Sequence, residues 1–306
     1  MPDYHFEDVS LVLVDSNRDV RSSIRASLRH EGFGEVRDTH RVDRARDWVN
    51  ASPPDLLIAD ADVLDGAACG LFHGIRHQIL GQDPFVPIIA VSTAQMPPRV
   101  RMAIDSGADH ILARPVTIEN LLDRVSLLIR KRKPFVVTSD YIGPDRRAKP
   151  RPGPSAPLID VPNALRAKAT RSTDRVALKR EIRRKVAEIN QRKMERNAFQ
   201  IGWLVERLVD SGSTAERTAH LDRLLETAED LARRLSETKH DHVSGLCRSL
   251  IQVTTKLKNR DGSADGRDTK VLPHLAAAIS AAFPADNQTV AIARDIADSV
   301  ARLTGD

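Results

Sequence analysis

The first 130 residues alternate between short apolar segments and stretches with helical spacing. The short segments read as strands at residues 9–15, 35–39, 55–60, 86–92 and 111–113. Strands that are apolar on both faces are typical of a parallel sheet covered by helices on both sides. Because parallel neighbours must be joined by crossover connections, this alternation predicts a doubly wound, five-stranded α/β sheet.

The rest of the chain has a different pattern. Residues 132–163 are rich in proline, arginine and lysine, which predicts a linker whose FVV and LIDV patches could dock on a domain surface. Residues 164–306 have helical spacing throughout and predict a separate all-α helical bundle. Its helices are predicted at residues 176–209, 221–235, 243–257, 272–282 and 289–303. The predicted domains are therefore 1–131 and 164–306, joined by the linker.

Charge and composition narrow the function classes. The net charge of the chain is +5, but residues 1–130 carry −5 and residues 131–200 carry +12. A basic helix at 175–196 could bind nucleic acid, although a solvated helix face has the same composition. Only two cysteines occur, and no segment approaches the ~18 apolar residues that a membrane span needs. We therefore expect a cytoplasmic protein without a disulfide framework or a membrane span.

Polar side chains follow four of the predicted strands. Asp15 and Asp60 end the first and third strands, Ser92 ends the fourth, and Arg114 follows the fifth. Ligands of doubly wound sheets bind beyond the carboxyl ends of the strands, so these groups are candidates for one site. Paired carboxylates favour a hard divalent cation such as Mg²⁺. A carboxylate beside such a cation can act as a nucleophile toward a phosphoryl group.

In these residues the chain resembles the receiver domain of bacterial response regulators over about residues 8–131. The motifs are LVLVDSN, PDLLIAD, PIIAVST and GADHILARP, in the family's order. The resemblance implies the sheet order 2-1-3-4-5 and phosphorylation of Asp60 by a histidine kinase or phosphotransfer protein. It also implies that Asp15 and the backbone carbonyl of Asp62 bind Mg²⁺ and that Ser92 contacts the phosphoryl group. The side chain of Asp62 itself is expected to solvate the loop.

Several positions depart from the family's pattern. Ser16 stands where a second acid is usual, and a hydroxyl is a poorer Mg²⁺ ligand than a carboxylate. Arg114 replaces the family's lysine, and residues 1–130 contain no lysine to substitute for it. Leu64 lies where proline is common, and Ile111 where an aromatic residue often lies. These departures predict weakened Mg²⁺ binding and weak or lost phosphorylation.

The leading hypothesis is a two-component response regulator that is not an enzyme, apart from phosphorylation and dephosphorylation at Asp60. The receiver would bias a helical domain that binds a protein partner or a second copy of the chain as a homodimer. One alternative is a DNA-binding response regulator that uses the basic helix at 175–196. Another is a receiver that acts as a scaffold without phosphorylation.

Overall fold

The computed structural model describes residues 4–93, 97–147, 157–172, 174–210, 213–236, 238, 240–259 and 266–283. By contacts between Cα atoms, the chain divides into two compact units. Among the described residues, those up to 187 form the first unit and those from 188 onward form the second. The domain boundaries at 131 and 163 remain predictions; by these contacts, the described residues 132–147 and 157–187 group with the sheet.

Five parallel strands form the central sheet of the first unit. They are β1 (Ser10–Val14), β2 (Glu35–Thr39), β3 (Leu56–Asp60), β4 (Ile88–Ser92) and β5 (His110–Ala113). Their order in the sheet is β2-β1-β3-β4-β5, which confirms the predicted fold class. Every residue of β3 and β4 is buried, because these strands lie inside the sheet and helices cover both faces.

Four helices connect these strands and a fifth follows β5. They are α1 (Arg18–His30), α2 (Val42–Ala51), α3 (Ala67–Arg76), α4 (Pro97–Asp105) and α5 (Ile118–Arg130). The side chain of Asn17 caps α1 by accepting hydrogen bonds from the second and third backbone amides of the helix. A 3₁₀ turn at Val63–Gly66 precedes α3, which ends at Arg76.

Two hydrophobic cores lie on opposite faces of the sheet. Val12, Leu57 and Phe72 belong to the core under α2 and α3. Leu11 and Ile58 belong to the core under α1 and α5. Adjacent residues of one strand thus serve different cores, since successive side chains point to opposite faces of a strand. This explains why the strands read as continuous apolar runs in the sequence.

The segment predicted to be a linker contains ordered structure that packs with the sheet and its helices. Its described residues include the antiparallel strands β6 (Phe135–Val137) and β7 (Ile142–Pro144), followed by α6 (Ala164–Ala169). Phe135 and Ile159 pair through an isolated bridge, and both are almost fully buried. Residues 132–147 and 157–169, called the extension below, are therefore part of the first unit.

A buried ion cluster anchors the extension. Nη2 of Arg76 lies 2.8 Å from Oδ2 of Asp109, and Nε of Arg132 lies 2.8 Å from Oδ1 of the same carboxylate. Each guanidinium carbon is 5.1 Å from the ring centroid of Phe135. Burial alone would raise the pKa of Asp109, but the charges of Arg132 and Arg76 outweigh it and lower that pKa. The two ion pairs of Asp109 therefore link Arg132, at the start of the extension, to Arg76 of α3.

Four helices account for the described part of the C-terminal region. They are α7 (Arg175–Asp210), α8 (Thr214–Leu235), α9 (Ser244–Asn259) and α10 (Gly266–Ala281). Leucines and isoleucines along these helices form one core, which includes Leu204, Leu224, Leu250 and Ile279. This confirms a helical region after the five-stranded sheet. A further helix predicted at 289–303 lies outside the described residues. Among the helices that the structure describes, none is long and apolar enough to cross a membrane.

A polar network lies inside this helical region. Lys193 of α7 is 2% exposed, and its Nζ lies 4.0 Å from Oδ2 of Asp230 in α8. Asn197 and Arg234 donate hydrogen bonds to the same carboxylate. Burial lowers the pKa of Lys193 to about 8. Lys193 lies within the basic segment 175–196, but it is buried and paired with Asp230 instead of exposed to solvent.

Candidate functional site

The polar residues at the strand ends meet at one edge of the sheet. Asp15 directly follows β1, Asp60 is the last residue of β3, Ser92 is the last of β4, and Arg114 directly follows β5. The four strands are parallel, so their carboxyl ends share this edge. Asp15, Asp60 and Ser92 are almost fully buried. The structure thus brings together the residues that the sequence analysis assigned to one site.

Arg114 bridges the two aspartates. Its Nη2 atom donates to Oδ2 of Asp15 at 2.7 Å and to Oδ2 of Asp60 at 2.9 Å. The arginine side chain is 23% exposed, whereas those of Asp15 and Asp60 are 3% and 6% exposed. Burial would lower the pKa of Arg114, but its hydrogen bonds and charge interactions with both carboxylates raise it. The guanidinium is therefore a permanent cation between two buried anions.

Asp60 has opposing influences on its ionisation. Burial raises its pKa above the ordinary value, and the nearby charge of Asp15 acts in the same direction. The Asp62 backbone N–H donates to Oδ1 of Asp60 at 3.0 Å, and this bond and Arg114 act against burial. The net direction is a raised pKa. Asp60 is thus a buried carboxylate whose charged form depends on Arg114 and one backbone amide.

The loop after β1 fixes the orientation of Asp15. Its Oδ1 atom accepts a hydrogen bond from the backbone N–H of Asn17 at 2.8 Å, which leaves Oδ2 directed at Arg114. Arg21 of α1 donates to the backbone oxygen of Asp15 at 2.8 Å. Ser16, the position where a second acid was looked for, is exposed to solvent. Asp15 is therefore the acidic residue that this loop brings into the site.

Asp62 directs its side chain toward the end of β4. Its Oδ1 atom accepts from Oγ of Ser92 at 3.2 Å. Its Oδ2 atom accepts from the backbone N–H of Thr93 at 3.1 Å and from the Thr93 hydroxyl at 3.3 Å. The expectation that this side chain solvates the loop is wrong, because donors on β4 lie within its reach. The spacing of the two acids in Asp60-Ala61-Asp62 is the sequence signal for this contact. Thr93, the partner of Asp62, was not among the predicted site residues.

The donor set fits a divalent cation of the kind the receiver family binds. Mg²⁺ is usually held by one or two carboxylates while it keeps several waters. Here Asp15 and Asp60 each direct one carboxylate oxygen at the same cationic atom, Nη2 of Arg114. Within the described residues, no three His, Cys, Asp or Glu side chains form a metal cluster. The two carboxylate oxygens that could hold a cation here are both hydrogen-bonded to Arg114.

Comparisons with known proteins agree with this geometry. The sequence model of the response regulator receiver domain matches residues 11–126. Response regulator MprA of Mycobacterium tuberculosis is 31% identical over 128 residues, which are 41% of this chain and 53% of the relative. MprA of Mycobacterium avium is 30% identical over 126 residues, or 40% of this chain and 52% of the relative. The chain thus spans about half the length of the curated relatives that it matches.

Part of the chain is also similar to solved structures of response regulator proteins. Chemotaxis protein CheY4 of Vibrio cholerae is 21% identical, with 39% of this chain and 96% of that chain covered and a TM-score of 0.35. An orphan response regulator of H. pylori is 18% identical, with 40% and 98% covered and a TM-score of 0.35. The family-model match, the order of the strands and the aspartates at their ends together identify residues 11–126 as a response regulator receiver domain.

Proposed function

We propose that the chain is a two-component response regulator in which Asp60 accepts a phosphoryl group. The supporting observation is the convergence of Asp60, Asp15, Ser92 and Arg114 at the carboxyl edge of the sheet. The phosphoryl donor would be a histidine kinase or a phosphotransfer protein. The matched relatives are named response regulators, which are signalling proteins. We propose no enzymatic activity beyond phosphorylation and dephosphorylation of the receiver, and we place the protein in the cytoplasm.

The chemistry proposed for Asp60 is nucleophilic. One carboxylate oxygen attacks the phosphorus atom of a phosphohistidine, the P–N bond breaks, and the imidazole leaves with the electron pair and takes a proton from solvent. Arg114 favours the ionised form of Asp60 and can then hold a phosphoryl oxygen, because a guanidinium donates several hydrogen bonds. Asp15, Asp60 and the Asp62 carbonyl would hold Mg²⁺, which when bound supplies positive charge to the transferring phosphoryl oxygens.

The helical region is the proposed output of this receiver. Phosphorylation would add negative charge at the carboxyl edge of the sheet, around Asp60. We propose that this change of charge biases the helical region toward binding a protein partner or a second copy of the chain as a homodimer.

Intact-mass measurement tests the proposed acceptor. The full chain is incubated with acetyl phosphate and Mg²⁺, beside Asp60→Asn and the control Asp105→Asn, which removes an exposed carboxylate of α4. We expect one labile phosphoryl adduct in the wild type and the control and none in Asp60→Asn. A wild type without adduct that remains folded would contradict the proposal and favour a receiver that acts as a scaffold.

The exposed start of α7 supports a second candidate, binding to nucleic acid. Arg175, Lys179, Arg180, Arg183 and Arg184 are all exposed on this helix. Such a face can neutralise phosphates, and its affinity for DNA would fall steeply as salt rises. Titration of the full chain with duplex DNA at low and high salt tests this candidate. Absence of binding at low salt would remove it.

A further inference from the structure

The carboxylate of Asp62 occupies hydrogen-bond donors at the end of β4. Its two oxygens accept from the Ser92 hydroxyl, at 3.2 Å, and from the Thr93 backbone N–H, at 3.1 Å. The Thr93 hydroxyl donates to it as well, at 3.3 Å. Ser92 is 1% exposed, so its hydroxyl depends on partners inside the protein. The Asp62 carboxylate is thus an anion of the protein itself that binds hydrogen-bond donors at the end of β4.

The resemblance to receivers implies that Ser92 contacts a phosphoryl group on Asp60, and the Thr93 N–H belongs to the residue that directly follows Ser92. The group would carry three acceptor oxygens and further negative charge. Asp60 and Asp62 are adjacent in the site, since the Asp62 backbone N–H donates to Oδ1 of Asp60 at 3.0 Å. On one side Arg114 already holds Asp60. On the β4 side the Ser92 hydroxyl and the Thr93 N–H are bound to Asp62.

We propose that Asp62 is a positioning residue that acts as an internal substitute for the phosphoryl group. Its carboxylate holds Ser92 and Thr93 through the contacts that phosphoryl oxygens would make, and it must leave them before a phosphorylated Asp60 is stabilised. Asp62 therefore slows phosphorylation by competing for donors and by placing a like charge beside the incoming anion. The inference rests on the proposed function, because the competition requires Asp60 as the acceptor.

Neutral variants separate this role from a structural one. In Asp62→Asn the side chain keeps its size but loses its charge, and one of its two oxygens becomes an amide nitrogen that cannot accept from Thr93. In Asp62→Ala every side-chain contact is lost. If Asp62 only stabilised the loop, both variants would phosphorylate at the wild-type rate or more slowly. If it competes with the phosphoryl group, both would phosphorylate faster.

The experiment measures two quantities on the full chain. The first is the initial rate of phosphoryl incorporation from acetyl phosphate and Mg²⁺, in which a carboxylate oxygen attacks phosphorus and acetate leaves with the electron pair. The second is the hydrogen-exchange rate of the Thr93 backbone amide, which needs no phosphorylation. We expect a rise of about tenfold in the first rate for Asp62→Asn and Asp62→Ala, and faster exchange at Thr93 in both. The control Asp105→Asn should change neither rate.

The outcomes distinguish the two hypotheses. Faster exchange at Thr93 with an unchanged or lower phosphorylation rate would overturn the role of Asp62 and leave the proposed function standing. Unchanged exchange at Thr93 would contradict the hydrogen bond from the Thr93 N–H to Asp62, and the inference rests on that bond. No adduct in any variant, Asp62→Ala included, would overturn the proposed function and the competition with it. An adduct that persists in Asp60→Asn/Asp62→Asn would place the acceptor elsewhere and contradict both.

Discussion

Arg114 is the shared partner of two nearly buried carboxylates, so replacing it tests how much the site depends on a cation. Arg114→Met keeps an unbranched apolar side chain but removes the hydrogen bonds to Asp15 and Asp60. Breaking a buried ion pair costs about 3–5 kcal/mol. Because the arginine is 23% exposed, water screens part of the loss, and we expect a decrease of about 3 kcal/mol in the free energy of unfolding.

The decrease in the free energy of unfolding caused by Arg114→Met should depend on pH. Without the guanidinium, the pKa of Asp60, already raised by burial, rises further. A carboxyl whose pKa is higher in the folded state than in the unfolded state binds more protons when folded, so stability falls as pH rises through the folded pKa. The penalty of Arg114→Met should therefore be smaller at about pH 5 than at about pH 8, where the carboxylate is charged and unpaired.

Mg²⁺ should reduce the penalty in this variant. The oxygens that Arg114 occupies become free for a divalent cation, and a ligand that binds only the folded state stabilises it by about 2.7 kcal/mol at about one hundred times its dissociation constant. In the wild type the guanidinium competes for the same two oxygens. We therefore expect a larger stabilisation by Mg²⁺ in Arg114→Met than in the wild type.

Urea unfolding followed by tryptophan fluorescence measures these effects. The chain has two tryptophans, and Trp203→Phe as a background leaves Trp48 of α2 to report on the receiver. Arg25→Met is the matched control, since Arg25 is 43% exposed in its pair with Asp38 and should cost less than about 1 kcal/mol. Equal stability of Arg114→Met and the wild type, with no response to pH or Mg²⁺, would refute the reasoning.

Two further predictions concern the extension and the helical region. Phe135→Ala should lower the free energy of unfolding of the receiver by about 3–5 kcal/mol in the same assay, because its ring is fully buried. The control Leu158→Ala removes a side chain that is 49% exposed and should have little effect. Equal effects of the two substitutions would contradict packing of the extension on the receiver. Lys193 has a pKa lowered to about 8, so the unfolded chain binds more protons above that pH and stability should rise with pH there. Lys193→Met should abolish this rise in the free energy of unfolding. Urea unfolding followed by the fluorescence of Trp203, in a Trp48→Phe background, measures it. A rise that persists in Lys193→Met would contradict the assignment of the lowered pKa to Lys193.

The sheet could be predicted because local patterns determine it. The apolar runs at 9–15 and 55–60 are buried on both faces, and such runs are distinctive in a sequence. The strand-end residues Asp15 and Asp60 followed from the same pattern, because parallel strands end at one edge. The order of the strands came from the resemblance to receivers, since periodicity alone does not say which strands are neighbours.

Other features could not be read from the sequence because they depend on partners distant along the chain. Arg76 is fully buried although arginine is ordinarily a surface residue, and its partner Asp109 lies in a different part of the chain. Asp62 resembles any loop aspartate until the end of β4 is placed beside it. The proline-rich composition of 132–163 indicated a linker, yet a few apolar residues such as Phe135 were enough to fix it to the receiver.

The anchored extension changes where this receiver can be excised from the chain. A fragment that ends at residue 126 follows the family match, but it would remove Arg132 and leave the buried Asp109 with one cation fewer. It would also uncover the faces on which Phe135 and Leu165 pack, and newly exposed apolar surface promotes aggregation. Fragments for binding or spectroscopic work should therefore extend through α6, so that the apolar faces under Phe135 and Leu165 stay covered in the excised receiver.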